Sequence, residues 1–163
     1  MTRDARFSRK IFDFARKSSA KSHVAVFFAS HLLWLMLGVA GSIVFPEVQL
    51  LVPIIFLPWG VSLLISEIIR RERPFHPEGY KPIIHLLVET PSFPSSHSTV
   101  AFALVAAFIN DPIVWPFMLV GAIFVALGRV AVGVHYTSDV VVGAVLGFVL
   151  AYAMKIGMLL LNL

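Results

Sequence analysis

The feature that most constrains the fold of this 163-residue chain is a series of five apolar runs separated by short polar segments. A helical run of about 20 apolar residues is long enough to cross the roughly 30 Å hydrocarbon core of a membrane. These runs are continuously apolar, whereas the strands of a membrane β-barrel alternate between apolar and polar residues. With 58% hydrophobic and 13% charged residues and a mean hydropathy of +0.88, the composition excludes an ordinary soluble domain. We therefore predict an all-α fold, a polytopic membrane bundle of about five transmembrane helices.

The predicted spans differ in length, and the third is the shortest. At a rise of 1.5 Å per residue it reaches only about 22 Å, so its first residue should be recessed below the membrane surface. Pro46 and Glu47 should form a tight turn, and the short apolar stretch at 83–88 should dip into the headgroup layer as a lid. The five spans are predicted at residues 23–45, 48–69, 96–110, 113–131 and 138–161.

A basic segment, residues 1–22, precedes the membrane domain, residues 23–163. Phe7, Ile11 and Phe14 recur at helical spacing. This spacing fits an amphipathic helix at the membrane surface, and it fits equally a disordered basic tail. The first span is too long for the core of a signal peptide and is interpreted as retained.

The positive charge of the chain does not indicate a nucleic-acid partner. The formal net charge is +4, but seven of the thirteen Lys and Arg residues precede residue 22, and the apolar remainder leaves little surface for a duplex. A basic segment beside membrane spans is typical of a topology signal or of contact with anionic membrane lipids. The chain contains no Cys, which excludes disulfides, thiolate chemistry and cysteine-based metal sites.

Three polar islands lie at the ends of apolar runs, at residues 70–74, 91–98 and 128–139. If all five spans cross the membrane, the second and fourth end on the face where the third and fifth begin. The N-terminus lies on that face as well. We therefore expect the three islands to meet and to form one site.

The residue types in these islands favour a phosphate site. Arg73 and Arg129 carry planar guanidinium groups suited to bidentate phosphate binding. Ser95 and Ser96 open the third span, and the free backbone amides at a helix N-terminus bind anions.

The same islands carry the groups needed for phosphoryl transfer. His135 and Asp139 are four residues apart, so at the start of a helix they would share one face. Asp139 can then orient the imidazole for nucleophilic attack, and His97 can donate a proton to a leaving oxygen. This set needs no metal and no cofactor, because the arginines supply positive charge for the equatorial phosphate oxygens. A zinc site built from His97, His135 and Asp139 stays as a minor alternative.

The islands resemble the signature of the type-2 phosphatidic acid phosphatase superfamily, which also contains the vanadium haloperoxidases. Its three motifs are Lys-x6-Arg-Pro, Pro-Ser-Gly-His and Ser-Arg-x5-His-x3-Asp. Here the second motif is 94–97, with Ser96 for Gly, and the third is 128–139, with Gly128 for Ser and every spacing kept. The first keeps Arg73 and Pro74 but has Ser66 at the Lys position.

The resemblance implies a role for each matching residue. His135 would be the nucleophile that forms a phosphohistidine, Asp139 would orient it, and His97 would protonate the leaving group and then activate water. Arg73, Arg129 and the backbone at Ser96 would bind phosphate.

The missing motif lysine is the main departure from the family pattern. Arg70 lies one turn before Arg73 and is expected to supply the lost charge, with Lys81 as the other candidate. Arg70→Ala is then expected to cost far more activity than Arg71→Ala.

We expect a metal-independent phosphatase that hydrolyses a lipid phosphate or diphosphate at a bacterial inner membrane. A polyprenyl phosphate or diphosphate, phosphatidate and phosphatidylglycerol phosphate all fit a site at headgroup level. The alternative is a non-catalytic binding or transport protein for lipid phosphates, which lost the motif lysine at Ser66. The distribution of Lys and Arg favours a site on the cytoplasmic face, although most bacterial relatives resemble six-span proteins with an extracytoplasmic site.

Overall fold

The computed structural model describes residues 2–44, 48–86 and 89–161, and every regular element in these residues is a helix. The predicted all-α fold is confirmed. The predicted turn at Pro46 and Glu47, and Leu87 and Val88 of the predicted lid, lie outside the described residues. The seven helices are α1 (Arg3–Ala15), α2 (Ser19–Ile43), α3 (Val48–Ile69), α4 (Phe75–Glu78), α5 (Ser96–Ala107), α6 (Val114–Ala131) and α7 (Thr137–Leu160).

Four of these helices, α2, α3, α6 and α7, are long and apolar enough to cross a membrane. The fifth predicted span is α5, which is apolar but has only 12 residues. Its length is about 18 Å. The five predicted spans therefore correspond to four long helices and one short helix. The short span was expected, and its helix ends three residues earlier than expected.

Helix α5 forms the centre of the bundle. It contacts α2, α3, α6 and α7, and eight of its twelve residues are buried. A close approach of α7 makes this packing possible: a Cβ added at Gly143 would lie 2.6 Å from the carbonyl oxygen of Ser95. Beside this contact the Ser95 amide donates to the Asp139 carbonyl at 3.0 Å. The N-terminal ends of α5 and α7 are therefore held together.

Helix α2 contains one wide turn at Phe27–His31, where the hydrogen bonds span five residues. Such π-turns are rare in proteins, and those that occur are often found at functional sites. Helix α6 packs closely against this turn, because a Cβ at Gly128 would lie 2.7 Å from the Ala29 amide nitrogen. This contact gives a physical reason for glycine where the family pattern has serine.

Helix α1 packs across the end of the bundle where the polar islands lie. Its inner face consists of Ala5, Ser8, Phe12 and Ala15, and Phe12 is only 1% exposed. Phe7 and Phe14, whose spacing suggested an amphipathic helix at the membrane surface, are more than half exposed. The basic segment thus contains a helix whose apolar contact with the protein is made by a different face.

The described part of the predicted lid does not project from the bundle. The Ile83 amide donates to the Val132 carbonyl at 3.0 Å, and Ile83, Ile84 and Leu86 pack against a small core that includes Phe75.

Candidate active site

The three polar islands meet at one end of the bundle. Arg73 of the first island donates to the carbonyl of Val134 in the third at 2.8 Å. Ser92 of the second accepts a hydrogen bond from His135 of the third. The crossing count made from the sequence therefore placed these segments on the correct face.

His135 lies in the turn between α6 and α7 and is 4% exposed. Its Nδ1 is 2.8 Å from the main-chain oxygen of Ser92. Because a carbonyl can only accept, Nδ1 must carry the proton, and the lone pair of the neutral ring is then on Nε2. The imidazole is thus held in the tautomer that a nucleophile requires.

The surroundings of His135 also keep its ring neutral. Burial, and after it the positive charges of Arg129 and Arg73, lower the pKa of His135 well below its ordinary value. Both effects disfavour the imidazolium form. An unprotonated Nε2 is therefore present at neutral pH.

Asp139 meets His135, but the two do not share a helix face. His135 precedes α7, and Asp139 is the third residue of that helix, so the helix-face argument was wrong about how they meet. One carboxylate oxygen of Asp139 is 3.6 Å from Nδ1 of His135, too far for a hydrogen bond. That same oxygen accepts from the Tyr136 amide at 2.8 Å, and the other accepts from Arg71 at 2.6 Å. Asp139 therefore lies beside the ring without a hydrogen bond to it, while the Ser92 carbonyl makes the direct contact.

Arg73 is held rigidly by main-chain and side-chain acceptors. Its Nε and Nη2 donate to the carbonyl and hydroxyl oxygens of Thr90, and its Nη1 donates to Val134. The side chain is buried, and its remaining N–H groups are fixed in direction by these three bonds.

Arg129 is also buried, and its Nη1 donates to the Ala29 carbonyl in the wide turn of α2 at 3.2 Å. Within the described residues its Nε is buried without any hydrogen-bond partner. Buried donors in folded proteins are nearly always paired. The unpaired Nε therefore indicates that an acceptor, such as a phosphate oxygen, belongs at this place.

The start of α5 supplies further donors. The Ser95 amide is already bonded to Asp139, so the expectation that it is free was wrong. The next three amides, of Ser96, His97 and Ser98, have no acceptor among the residues that the structure describes. The side chain of Ser96 accepts from Ser62 of α3 at 3.1 Å, which fixes the start of α5.

His97 lies close to Arg129, His135 and Arg73, near enough for electrostatic interaction with each. It also forms part of the wall of an apolar groove of about 470 Å³. Together with His97, the groove is lined by side chains that include Leu33 and Trp34 of α2, Ile55 and Phe56 of α3, and Val100 of α5. His97 thus lies between the polar cluster of Arg73, Arg129 and His135 and the apolar groove.

Neither candidate for the missing lysine reaches the cluster. Arg70 has 76% of its side chain exposed, donates to the Glu67 carbonyl and lies 3.9 Å from the Glu67 carboxylate. Lys81 is exposed as well. Ser66 is buried, and its hydroxyl faces the Pro91 carbonyl at 3.4 Å. The geometry therefore contradicts the expectation that Arg70 replaces the lysine.

Arg71, which the sequence prediction treated as unimportant, is the arginine that turns inward. Its Nη1 donates to both Asp139 and Ser138 at 2.6 Å, and its guanidinium lies 4.0 Å above the ring of Tyr136. Ser92 was missed too, because it contributes a main-chain oxygen that no side-chain pattern reveals.

In residues 2–44, 48–86 and 89–161, no three His, Cys, Asp or Glu side chains come together in a way that could hold a metal ion.

The chain is similar to known membrane phosphatases. A family model described as the PAP2 superfamily matches residues 32–161. A relative from Mycobacterium tuberculosis, named decaprenylphosphoryl-5-phosphoribose phosphatase, is 36% identical over 128 residues. These cover 74% of this chain and 69% of that protein.

Two solved structures are similar in fold. LpxE of Aquifex aeolicus gives a TM-score of 0.75 at 20% identity, covering 95% of this chain and 96% of that one. A PAP2-type phosphatidylglycerolphosphate phosphatase from Bacillus subtilis gives a TM-score of 0.62 at 22% identity, covering 93% of this chain and 82% of that one. At these identities the comparison concerns the arrangement of helices.

Proposed function

Since this chain belongs to the PAP2 superfamily, we propose that it is a metal-independent lipid phosphatase that forms a phosphohistidine at His135. The observation that carries the proposal is the state of that side chain. Its ring is buried and neutral, its Nδ1 proton is donated to the Ser92 carbonyl, and two arginines lie nearby. This combination suits a nucleophile that attacks an anionic phosphate.

The first step forms one bond and breaks another. The lone pair on Nε2 of His135 forms a bond to phosphorus, and the bond from phosphorus to the leaving oxygen breaks. The electron pair departs with that oxygen, which takes a proton from His97 acting as general acid. The Asp139 carboxylate offsets the positive charge that develops on the imidazole.

The second step returns the enzyme to its starting state. His97 removes a proton from water as the water oxygen bonds to phosphorus, and the bond from phosphorus to Nε2 breaks with its electrons returning to His135. In both steps the equatorial phosphate oxygens face Arg73, Arg129 and the unpaired amides at the start of α5. Positioned positive groups of this kind stabilise the charge of phosphoryl transfer, and Arg73 and Arg129 leave no electrostatic need for a metal ion.

The apolar groove supports a lipid substrate. His97, the proposed acid, is part of the wall of this groove. Because the leaving oxygen must lie near that acid, the part of the substrate attached to this oxygen would lie next to the apolar side chains of the groove. Trp34 and Phe56 at the groove are more than half exposed, which opens it toward the surrounding lipid. A polyprenyl phosphate or diphosphate, phosphatidate or phosphatidylglycerol phosphate would meet these conditions, and the mycobacterial relative is named for a prenyl-linked substrate.

One observation favours a second candidate function, a non-catalytic protein that binds lipid phosphates. The motif lysine is Ser66, and neither Arg70 nor Lys81 takes its place at the cluster. A site with one cation fewer than the family pattern would still bind an anion.

The test is phosphate release by the purified full chain from a panel of these lipids, measured with and without EDTA. The matched control is His135→Asn, because asparagine keeps an N–H that can donate to the Ser92 carbonyl but has no nucleophilic nitrogen. We expect release that persists in EDTA and falls to background in the variant. Absence of release with retained lipid binding would favour the second candidate, and loss of release in EDTA would contradict the metal-free mechanism.

A further inference from the structure

Helix α1 lies outside residues 32–161, the range that the family model matches, yet its first two turns reach the catalytic cluster. The Asp4 carboxylate accepts hydrogen bonds from both the amide and the hydroxyl of Ser138. The Ser8 hydroxyl accepts from the Thr137 amide at 2.8 Å. The first amides of α7 are therefore capped by side chains from a distant part of the sequence.

Arg71 extends this contact into the site. Its Nη2 donates to Asp4 at 3.0 Å, while its Nη1 donates to Asp139 at 2.6 Å. Asp139 is fully buried and lies next to the His135 ring. Charges of alternating sign thus run from Asp4 through Arg71 to Asp139, which lies beside the neutral ring of His135.

Apolar contacts hold α1 against the bundle in addition to these polar contacts. Phe12 is buried and stacks on the ring of Tyr80, with ring centres 4.4 Å apart, and Ala5 and Ala15 are buried beside it. The apolar face would hold α1 in place without Asp4. The Asp4 carboxylate can therefore have a role besides holding α1 in place.

We propose that Asp4 and Arg71 are positioning residues that hold the Asp139 carboxylate against the His135 ring, so that α1 is part of the catalytic unit. This inference rests on the proposed function. Asp139 offsets the charge that appears on His135 during attack, and Arg71 fixes its direction. Asp4 in turn balances the charge of Arg71, which would otherwise weaken the field of Asp139. The hydrogen bonds of both side chains run to protein groups, so we expect both to act on turnover more than on binding.

The experiment measures kcat and KM for Asp4→Asn, Arg71→Gln and the double variant in the full-length protein. The control is Asp13→Asn, which removes the same charge from the same helix at a residue that pairs with Arg9. We expect Asp4→Asn to lower kcat by about tenfold with little change in KM, and Asp13→Asn to have no effect. The double variant should be no slower than Arg71→Gln alone, because residues that act in one network are not additive.

A thermal unfolding series on the same variants separates positioning from tethering. We expect Asp4→Asn and Asp13→Asn to unfold at similar temperatures, and Asp4→Glu to regain part of the lost kcat. Independent, additive losses in the double variant would overturn the inference. So would a fully active Asp4→Asn beside an inactive His135→Asn, which leaves the proposed function standing. A wild-type protein without phosphate release would overturn both.

Discussion

At the level of single residues, the state of His135 depends on a main-chain oxygen. The Ser92 carbonyl accepts from Nδ1, and it would continue to do so after Nε2 has bonded to phosphorus. In the proposed mechanism the proton stays on Nδ1 in both states, so the positive charge of the phosphorylated ring would develop beside Asp139. A carboxylate at 3.6 Å without a hydrogen bond of its own to the ring can stabilise this charge without removing the proton.

The buried neutral ring of His135 predicts a dependence of stability on pH. Burial, with Arg129 and Arg73, lowers the pKa of His135 below its ordinary value of 6.5. The unfolded chain then takes up a proton that the folded protein excludes, so stability is greatest above pH 6.5 and falls as the pH drops from there toward the folded-state pKa. We expect the unfolding temperature of the wild type in detergent to decrease as the pH is lowered from about 7.5 to about 5.5. The unfolding temperature of His135→Asn should decrease less over the same range. Equal losses in the two proteins would contradict this pKa shift.

Two adjacent arginines provide a second residue-level prediction, which reverses the expectation from the sequence. Arg71→Ala leaves buried Asp139 without its cation, whereas Arg70→Ala removes only an exposed pair with Glu67. Because breaking a buried pair is costly and surface pairs contribute little, we expect Arg71→Ala to lower kcat by about tenfold or more. Arg70→Ala should stay within about twofold of the wild type. Steady-state phosphate release measures both, and a larger loss for Arg70→Ala would restore the original expectation.

The reason the sequence could not separate these arginines is a local turn of the backbone. Helix α3 ends at Ile69, and Arg70 has a positive φ of 49°. The backbone therefore leaves the helical path here, with Arg70 directed outward and Arg71 directed inward. The motif spacing from Arg129 to Asp139 did predict which side chains would meet, because only one short turn separates the two helices that carry Arg129 and Asp139. The Ser92 carbonyl had no side-chain signal.

At the level of helices, the apolar runs predicted α2, α3, α6 and α7 with ends within a few residues of those observed. The capping of α7 by Asp4 and Ser8 was not predicted, because it joins segments about 130 residues apart. The wide turn in α2 was also not predicted, since its residues are those of an ordinary apolar helix. Both features depend on packing between distant segments, which periodicity does not encode.

The contact between α5 and α7 can be tested at one glycine. In Gly143→Ala the new Cβ would lie 2.6 Å from the Ser95 carbonyl oxygen, so one helix must move. We expect a loss of about 1–3 kcal/mol in the free energy of unfolding and a lower kcat, because the Ser95–Asp139 contact is displaced. Thermal unfolding and phosphate release measure the two effects.

The matched control in the same helix is Gly157→Ala, where an added Cβ meets nothing within 4 Å. It should leave activity unchanged and slightly raise stability, because alanine favours the helix. If both variants behaved alike, close packing at Gly143 would not be what holds α7 against the site.

At the level of the whole molecule, charge is concentrated at one end of the bundle. Every Lys and Arg except Lys155 lies in α1, in the turn between α1 and α2, at the start of α2 or in the segments around the site. Lys155 donates to the Ala107 carbonyl at the opposite end of α5. Since α1 contacts the site directly, the basic segment and the site face the same side of the membrane. The rule that positive residues face inward then predicts that this side faces the cytoplasm.

The membrane face can be measured with single cysteines, because the natural chain contains none and gives no background labelling. Ser19→Cys lies at the start of α2 near the site, and Asn110→Cys lies beyond the other end of α5. Both positions are exposed, and neither change alters the net charge that sets the orientation. We expect a membrane-impermeant maleimide to label Asn110→Cys in intact spheroplasts, and to label Ser19→Cys only after the cells are permeabilised. The reverse pattern would place the phosphate site outside the cytoplasm, and the arginines around it would then serve chemistry rather than topology.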